Sequence, residues 1–481
     1  MQALELTRRP QRFGNWLRNG VGIAAFMLTA CAADPEPLEA LPLPLASPAA
    51  ALGKRLFEQP LPHTNGRSCA TCHVLDQGTT LRPEHVETLL REAPDDPLFR
   101  RIDADDPAAA EPSYEHLRRG LVRVVLPLAD NLDVIDLEGN VITPPDRTIF
   151  VWRGVPSVAD TAFTGPFQLD GRESSLESQA QAAILSHSEG REASTFTLRR
   201  LADFERSLFS SSSARLVGTL LRLGVPEDEI IMPELLKPLG AQARRGREVY
   251  QAACVSCHGG ATTDRIEQPE AVAPFFVALD DDGNVRFERD AQGAPTPVLE
   301  PRPDAQFVRV GFSALTYAGQ IGLTKTFNSS VELPRYRLRF YHDGTRRERR
   351  VDLPPVPVTV SGSPFDPRPQ LDAQGLPIVG PNLLPQAFTT DPGRAVISGD
   401  PADFEAFDTP PLRGIARTAP YFHDNSRETL REVLDEYSRF VLHTIPALEL
   451  PAIHPPEQPG GRRESLTPSQ KDDLLVFLNQ L

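Results

Sequence analysis

The sequence is poor in sulfur and in the largest aromatic side chain: its 481 residues include five Cys, three Met and two Trp. Five cysteines in so long a chain exclude a disulfide-dense scaffold. The methionines are Met1, Met27 and Met232, so beyond the N-terminal segment the chain holds a single candidate thioether donor. That one, in Ile230-Ile231-Met232-Pro233, reads as a packed helical residue. Long apolar runs are missing too, since the stretch from Val21 to Ala30 is shorter than a bilayer-spanning helix needs. Cationic charge is in deficit, with 50 Lys and Arg against 65 Asp and Glu for a net charge of -15. This argues against nucleic acid as a partner and favours docking of a basic protein.

Four of the five cysteines stand in Cys69-Ala70-Thr71-Cys72-His73 and Cys254-Val255-Ser256-Cys257-His258. Each has the Cys-x-x-Cys-His spacing of c-type haem attachment, in which two thiols add to the vinyl groups and the adjacent His becomes an iron ligand. A zinc site would have to gather four ligands across a gap of about 180 residues, whereas each haem motif is complete in itself. The expected cofactors are two covalently bound haem c, on Cys69, Cys72 and His73 and on Cys254, Cys257 and His258. The opposite face of each iron then decides the function.

The fifth cysteine, Cys31, ends Leu28-Thr29-Ala30-Cys31, which resembles a bacterial lipobox. With Arg8, Arg9, Arg12 and Arg18 and the short apolar run ahead of it, this predicts an export signal over residues 1–30 and lipidation at Cys31. Residues 31–50, rich in Ala, Pro and Leu without periodicity, read as a tether. The expected localisation is the periplasmic face of a membrane, the outer ahead of the inner, through a lipid anchor.

The expected fold is mainly α, two cytochrome c-like haem domains with β-hairpin-rich insertions. Ala51 to Arg67 reads as a helix and a loop delivering the first motif, and AQARRGREVYQAA repeats that entry before Cys254. This places an N-terminal haem domain at 51–235 and a C-terminal one at 236–481. Thr467 as N-cap and Pro468 at the first helical position predict a closing helix that packs on the helix ahead of a haem motif. Alternation from Leu121 to Trp152, turning at Glu138-Gly139-Asn140, predicts a hairpin within an insertion at about 80–150. RYRLRFYHDGTRRERRVDL, turning at Asp343-Gly344, predicts another within a β-rich lobe at about 270–405.

Two further stretches run from Arg153 to Gly190 (RGVPSVADTAFTGPFQLDGRESSLESQAQAAILSHSEG) and from Thr409 to Tyr437 (TPPLRGIARTAPYFHDNSRETLREVLDEY). With the haem motifs and the closing helix, they stand in the order of the bacterial dihaem cytochrome c peroxidase and MauG superfamily. The chain resembles that family over most of its length outside the insertions. The resemblance implies that the N-terminal haem reacts with hydrogen peroxide and the C-terminal haem passes electrons. It implies Glu189 as the catalytic carboxylate, assisted by Gln179, since a carboxylate near an open iron face can carry a proton from the inner to the outer peroxide oxygen. The family's proline between these two is Ala183 here. Fourteen residues after His423, where electron-storing peroxidases have Met and MauG-type proteins have Tyr, stands Tyr437, the implied distal ligand of the second iron. A phenolate there would stabilise ferric and higher states. Thr418 and Pro420 match positions whose carbonyls hold a structural calcium ion.

Departures from the family are also visible. The Trp commonly found between the haems is Leu169, and Trp152 reads as a core residue or a substitute relay. His85 and His116 are candidates for reversible ligation at the first haem. The partners implied are hydrogen peroxide and either a small electron-donor protein, a cytochrome c or cupredoxin, or a protein substrate. Two other readings stand beside this one. They are an oxygen-dependent haem oxygenase resembling rubber-cleaving dihaem enzymes, and a non-catalytic electron-transfer cytochrome with both irons doubly ligated by protein.

Overall fold

The first helix, α1 (Pro48–Glu58), starts where the sequence supplies two signals together. Ser47 accepts a hydrogen bond from Ala50 N at 3.1 Å, and Pro48 occupies a first-turn position whose N–H would have no helical partner. The helix thus begins before the end expected for the tether. In this computed structural model the described residues are 47–268, 276–300, 306–309, 333–341, 344, 350–354, 370–379, 388–438, 442 and 465–481. The signal segment, Cys31 and Asp343 lie outside them. No described helix is long and apolar enough to cross a membrane.

Seven more helices matter to the sites: α2 (Pro83–Glu92), α3 (Leu176–Ser186), α4 (Thr195–Glu205), α5 (Ser212–Arg222), α6 (Ala241–Ala253), α7 (Leu430–Glu436) and α8 (Pro468–Leu478). Two crossings among them repeat one design. α1 meets α4 at Gly53, where an added Cβ would run into the Arg200 carbonyl and Phe204 Cβ. Four residues on, the Phe57 ring meets Phe204 edge-on at 5.1 Å. α6 meets α8 at Gly246, against the Asp473 carbonyl and Phe477 Cβ, with Tyr250 and Phe477 at 5.3 Å. A missing side chain is what lets each backbone pair approach so closely. The closing helix, capped by Thr467 as its sequence predicts, packs on the helix ahead of the second haem motif.

A second repeat follows each motif. Pro156 to Ala183 aligns without a gap on Pro410 to Tyr437. Gln168 and Phe422, at matching positions, have φ of 73° and 69°, and Gly171 and Asn425 have 64° and 55°. The bridge Phe167–Glu173 matches Tyr421–Arg427. Ser175 and Thr429 then cap α3 and α7 with the same reciprocal side-chain box.

The strand regions depart from expectation. β1 (Leu121–Pro127) pairs antiparallel with β3 (Thr148–Gly154), Leu121 opposite Gly154. β2 (Leu132–Ile135) folds back through the predicted turn at Glu138-Gly139-Asn140, with Ile135 bridging Val141, and its other edge pairs with the strand Arg337–Tyr341, Leu132 opposite Phe340. That strand forms the predicted second hairpin with Arg350–Leu353. All four β2 residues are buried, so the strand needs cover on both faces that a local hairpin could not supply. The two insertions consequently share one core, in which Leu126, Leu132 and Val151 meet Leu338, Phe340, Leu353, Val396 and Phe404. The β-rich lobe expected at about 270–405 is therefore built onto the first insertion.

Four turns in these regions share an Asp-x-x-Gly-x pattern. Asp136, Asp280, Asp290 and Asp372 each accept with Oδ1 the N–H four residues on, at 2.7 to 2.8 Å, with Gly in the left-handed region just before it. Several contacts lie near the boundary expected at 235. Val217 and Ile230 pack with Ala261, Met232 joins Tyr250 and Phe477 in the second core, and Glu234 pairs with Arg413 at 2.9 Å. Residues from α5 onward thus pack on the second haem region.

Candidate haem sites

The loop between α1 and the first motif is anchored by two polar residues. Asn65 Nδ2 donates to Glu189 Oε2 at 2.9 Å and to the His187 carbonyl at 3.1 Å, and its backbone N–H donates to Ser188 O at 2.8 Å. Arg67, buried, donates to Asp103 Oδ2 at 2.6 Å and to the Pro97 and Leu98 carbonyls at 2.8 and 2.5 Å. A single 3-10 turn, Cys69–Thr71, then brings Cys72 and His73 into place. The second motif has no such loop, because Cys254 is itself the C-cap of α6.

Both motif histidines are set alike. His73 Nδ1 lies 3.1 Å from Thr79 O, and His258 Nδ1 lies 3.1 Å from Pro410 O. A carbonyl can only accept, so Nδ1 carries the proton and Nε2 keeps its lone pair for a metal. Burial pushes both rings down to about 4, holding them neutral. The threonines that follow are also equivalent: Thr79 and Thr263 have φ of 58° and 68°. Their Oγ1 atoms accept the matching backbone N–H groups of Val158 at 2.9 Å and Leu412 at 3.0 Å.

The four thiols form no disulfide. Burial pushes Cys69 and Cys254 up to about 12 and Cys72 up to about 11, the opposite of a reactive dithiol, which needs a lowered pKa. Paired unreactive thiols beside a neutral imidazole with one free nitrogen form a donor set that fits covalent haem at each motif.

Glu189 sits exposed just beyond α3, with φ of 48°, and Asn65 ties it to the loop entering Cys69. Gln179 lies on α3 one turn before Ala183, on the same helical face. Tyr437 ends α7, packs against the second core and stacks on Phe422 at 6.3 Å. Burial and the neighbouring Cys257 and Cys254 thiols push its phenol well above the ordinary value. The structure therefore brings Tyr437 to the second motif and Glu189 to the approach of the first. In the repeat, the residue matching Tyr437 is Ala183.

Leu169 matches His423. The Leu169 carbonyl accepts from Asp408 N at 2.9 Å, while the buried His423 ring stacks on the adjacent Phe407 at 4.1 Å. Trp152 is buried and stacks on His116 at 4.5 Å, and His116 Nδ1 meets Asp105 Oδ1 at 2.7 Å. Both rings lie in the interior. His85, on α2, bonds to Gln77 at 3.2 Å. Thr418 Oγ1 donates to the Ile415 carbonyl at 3.1 Å, and Pro420 follows two residues later. Among the described residues no three His, Cys, Asp or Glu side chains gather as for a metal ion.

The sequence model described as di-haem cytochrome c peroxidase matches residues 47–212, which hold the first motif, α3 and Glu189. The model for the cytochrome c oxidase, cbb3-type, subunit III matches residues 241–282, around the second motif. The chain is 37% identical over 97 residues to the cytochrome-c peroxidase IdrP2 of Denitromonas iodatirespirans, which is 19% of this chain and 21% of that protein. It thus spans about a fifth of that relative's length. Among solved structures it is similar to a MauG-like protein associated with microbial copper homeostasis (18% identity, 92% of this chain and 90% of that one, TM-score 0.38). It is also similar to the diheme peroxidase BthA of Burkholderia thailandensis (15% identity, 92% and 88%, TM-score 0.34).

Sequence reasoning missed Asn65, Arg67 and the two threonines. The threonines were detectable, because each follows its motif histidine at nearly the same distance and precedes a matching repeat. Asn65 and Arg67 carried no such signal, since their partners lie in distant segments.

Proposed function

We propose that the chain is a dihaem c-type oxidoreductase that reduces hydrogen peroxide at the N-terminal haem with electrons passed through the C-terminal haem. The match of residues 47–212 to the di-haem cytochrome c peroxidase model supports the reaction class. The observation that carries the division of labour is the Ala183 and Tyr437 pair, one helix position filled by a methyl group in the first half and a phenol beside the motif thiols in the second.

When bound, each haem supplies an iron that changes charge by one electron, and an iron face without a protein ligand is a place for peroxide. His73 would hold the first iron, and His258 and Tyr437 would hold the second. The protein's share of the chemistry falls to Glu189 and its support. A carboxylate accepts the proton of one peroxide oxygen and returns it to the other, which turns a poor leaving group into water. Asn65 holds that carboxylate in orientation through the 2.9 Å bond while also bonding the segment behind it. Gln179, a turn before Ala183, provides a neutral donor and acceptor on the same helix face. The hard anionic oxygen of Tyr437 would keep the second iron oxidised more readily than a thioether does, which suits a MauG-like variant.

The acidic net charge of -15 supports docking of a basic electron-donor protein, a cytochrome c or cupredoxin, or of a protein substrate. The lipobox-like Leu28-Thr29-Ala30-Cys31 supports export and lipid anchoring at the periplasmic face. A calcium ion at Thr418 and Pro420 is part of the same reading. Steady-state peroxide consumption by Glu189→Gln, compared with the unsubstituted protein, tests the proposal. A fall of roughly 10²-fold with both haem spectra intact supports it, and unchanged turnover removes Glu189 from the chemistry.

A further inference from the structure

Glu205 is a buried acid without a counter-charge in contact. It is the last residue of α4, only 3% exposed, and its Oε2 has no hydrogen-bond partner. The helix crossing fixes its surroundings: Phe204, beside it in sequence, is the residue packed on Gly53 and Phe57 of α1. The cluster containing Phe57 and Phe204 also packs against Cys69. The Glu205 carboxylate acts on Cys69 electrostatically, so the charge lies within reach of the first haem attachment.

The second half shows what the site requires for packing alone. α8 repeats α4 residue for residue at the crossing, with Asp473 and Phe477 in place of Arg200 and Phe204. The residue matching Glu205 is Leu478, itself buried. A leucine therefore satisfies the architecture, and the first half keeps a carboxyl where an apolar side chain would cost less. Buried, unpaired acids are retained where their charge state is used.

We propose that Glu205 is a proton-holding group coupled to the oxidation state of the first haem. When a one-electron donor reduces the iron attached there, the local charge falls by one and the Glu205 carboxylate takes one proton from solvent, forming the O–H bond. On reoxidation that bond breaks and the proton returns. Burial already holds the carboxyl up at about 8, so the exchange falls in the neutral range. The charges facing it are Arg206 on its own helix, which favours the anion, and Glu177 on α3, which opposes it. Those two are partly neutralised by their own ion pair at 3.0 Å, and α1 presents Gly53 and Phe57 to this crossing.

The inference rests on haem being attached at Cys69 and Cys72, which a haem count on the same preparation checks independently. On the haem-loaded protein, spectroelectrochemical titration across the neutral range should give a first-haem potential that falls with rising pH. The limit is about 59 mV per unit, the value for a tenfold change in proton activity per electron. The second haem should keep its own dependence. Glu205→Gln should flatten the first haem's slope without loss of either haem. Reduced-minus-oxidised infrared difference spectra of the unsubstituted protein should show a protonated-carboxyl band that is absent in Glu205→Gln, a signature that a packing role would not produce. With both haems attached, an unchanged slope in Glu205→Gln, or no such band in the unsubstituted protein, overturns the assignment. A preparation lacking the first haem contradicts the two-haem reading as well.

Discussion

The two haem regions of this chain are built on one plan and finished differently. In each, a glycine in the entry helix lies against a later helix (Gly53 on Arg200, Gly246 on Asp473), and an aromatic one turn on packs against a phenylalanine. The motif histidine donates to a backbone carbonyl in both, and a threonine of positive φ receives the N–H of the returning segment. The differences lie at a few matched positions and in one loop. The first half has Ala183, Leu169, Glu205 and an added loop holding Asn65 and Arg67, while the second has Tyr437, His423, Leu478 and no such loop. Under the proposed function, the shared parts would hold a cofactor in each half and the parts that differ would set each half's task.

The comparison breaks most completely at attachment. Replacing Cys69 and Cys72 by Ser should remove one haem per chain and abolish peroxide consumption, whereas replacing Cys254 and Cys257 should leave a peroxide-responsive first haem. Pyridine haemochrome counts and peroxide titration of the two variants distinguish these results, and identical behaviour would deny the division of roles.

Glu189→Gln comes next, with the roughly 10²-fold loss given above. Asn65→Ala should lose less, because it frees the carboxylate without removing it. Equal losses in steady-state assays would mean that orientation is the whole of the effect.

Gly53→Ala and Gly246→Ala probe the shared plan. Each should destabilise by roughly 1–3 kcal/mol, because the added Cβ meets a carbonyl that cannot move without parting the helices. Thermal unfolding of the two variants checks whether the crossings are equivalent, and a neutral result at either would separate them.

Smaller effects sharpen the distal comparison. Tyr437→Phe should change the low-spin spectrum of the second haem alone, and Ala183→Tyr should shift the first haem toward the spectrum of the second.

The smallest effect is a pH trend. Because the folded pKa of Glu205 is raised to about 8, its contribution is fully present below the ordinary carboxyl value and is lost as pH rises through about 8. Stability of the unsubstituted protein should therefore decline across that window relative to Glu205→Gln, as read by denaturant midpoints at successive pH values.

Much of the site was legible before the structure. The helix start at Thr467, the two attachment motifs and the ordered stretches around Glu189 and Tyr437 are local signals, each complete within a few residues, whereas the start at Ser47 falls in the stretch that reads as the end of the tether. What escaped depends on chain segments far apart. The pairing of Leu132 with Phe340 could not be read from alternation, which encodes a buried face and not a partner. The packing of Val217 on Ala261 and of Met232 in the second core depends on partners that composition does not name. Glu205 stands at a helix end, and only its burial and its counterpart Leu478 set it apart.

The central claim, one haem open to peroxide and one closed by Tyr437, is tested most directly by electron paramagnetic resonance of the ferric protein before and after one equivalent of hydrogen peroxide. The account predicts one high-spin and one low-spin signal, with the high-spin signal lost on peroxide addition. Two low-spin haems indifferent to peroxide, even after one-electron reduction, would contradict it.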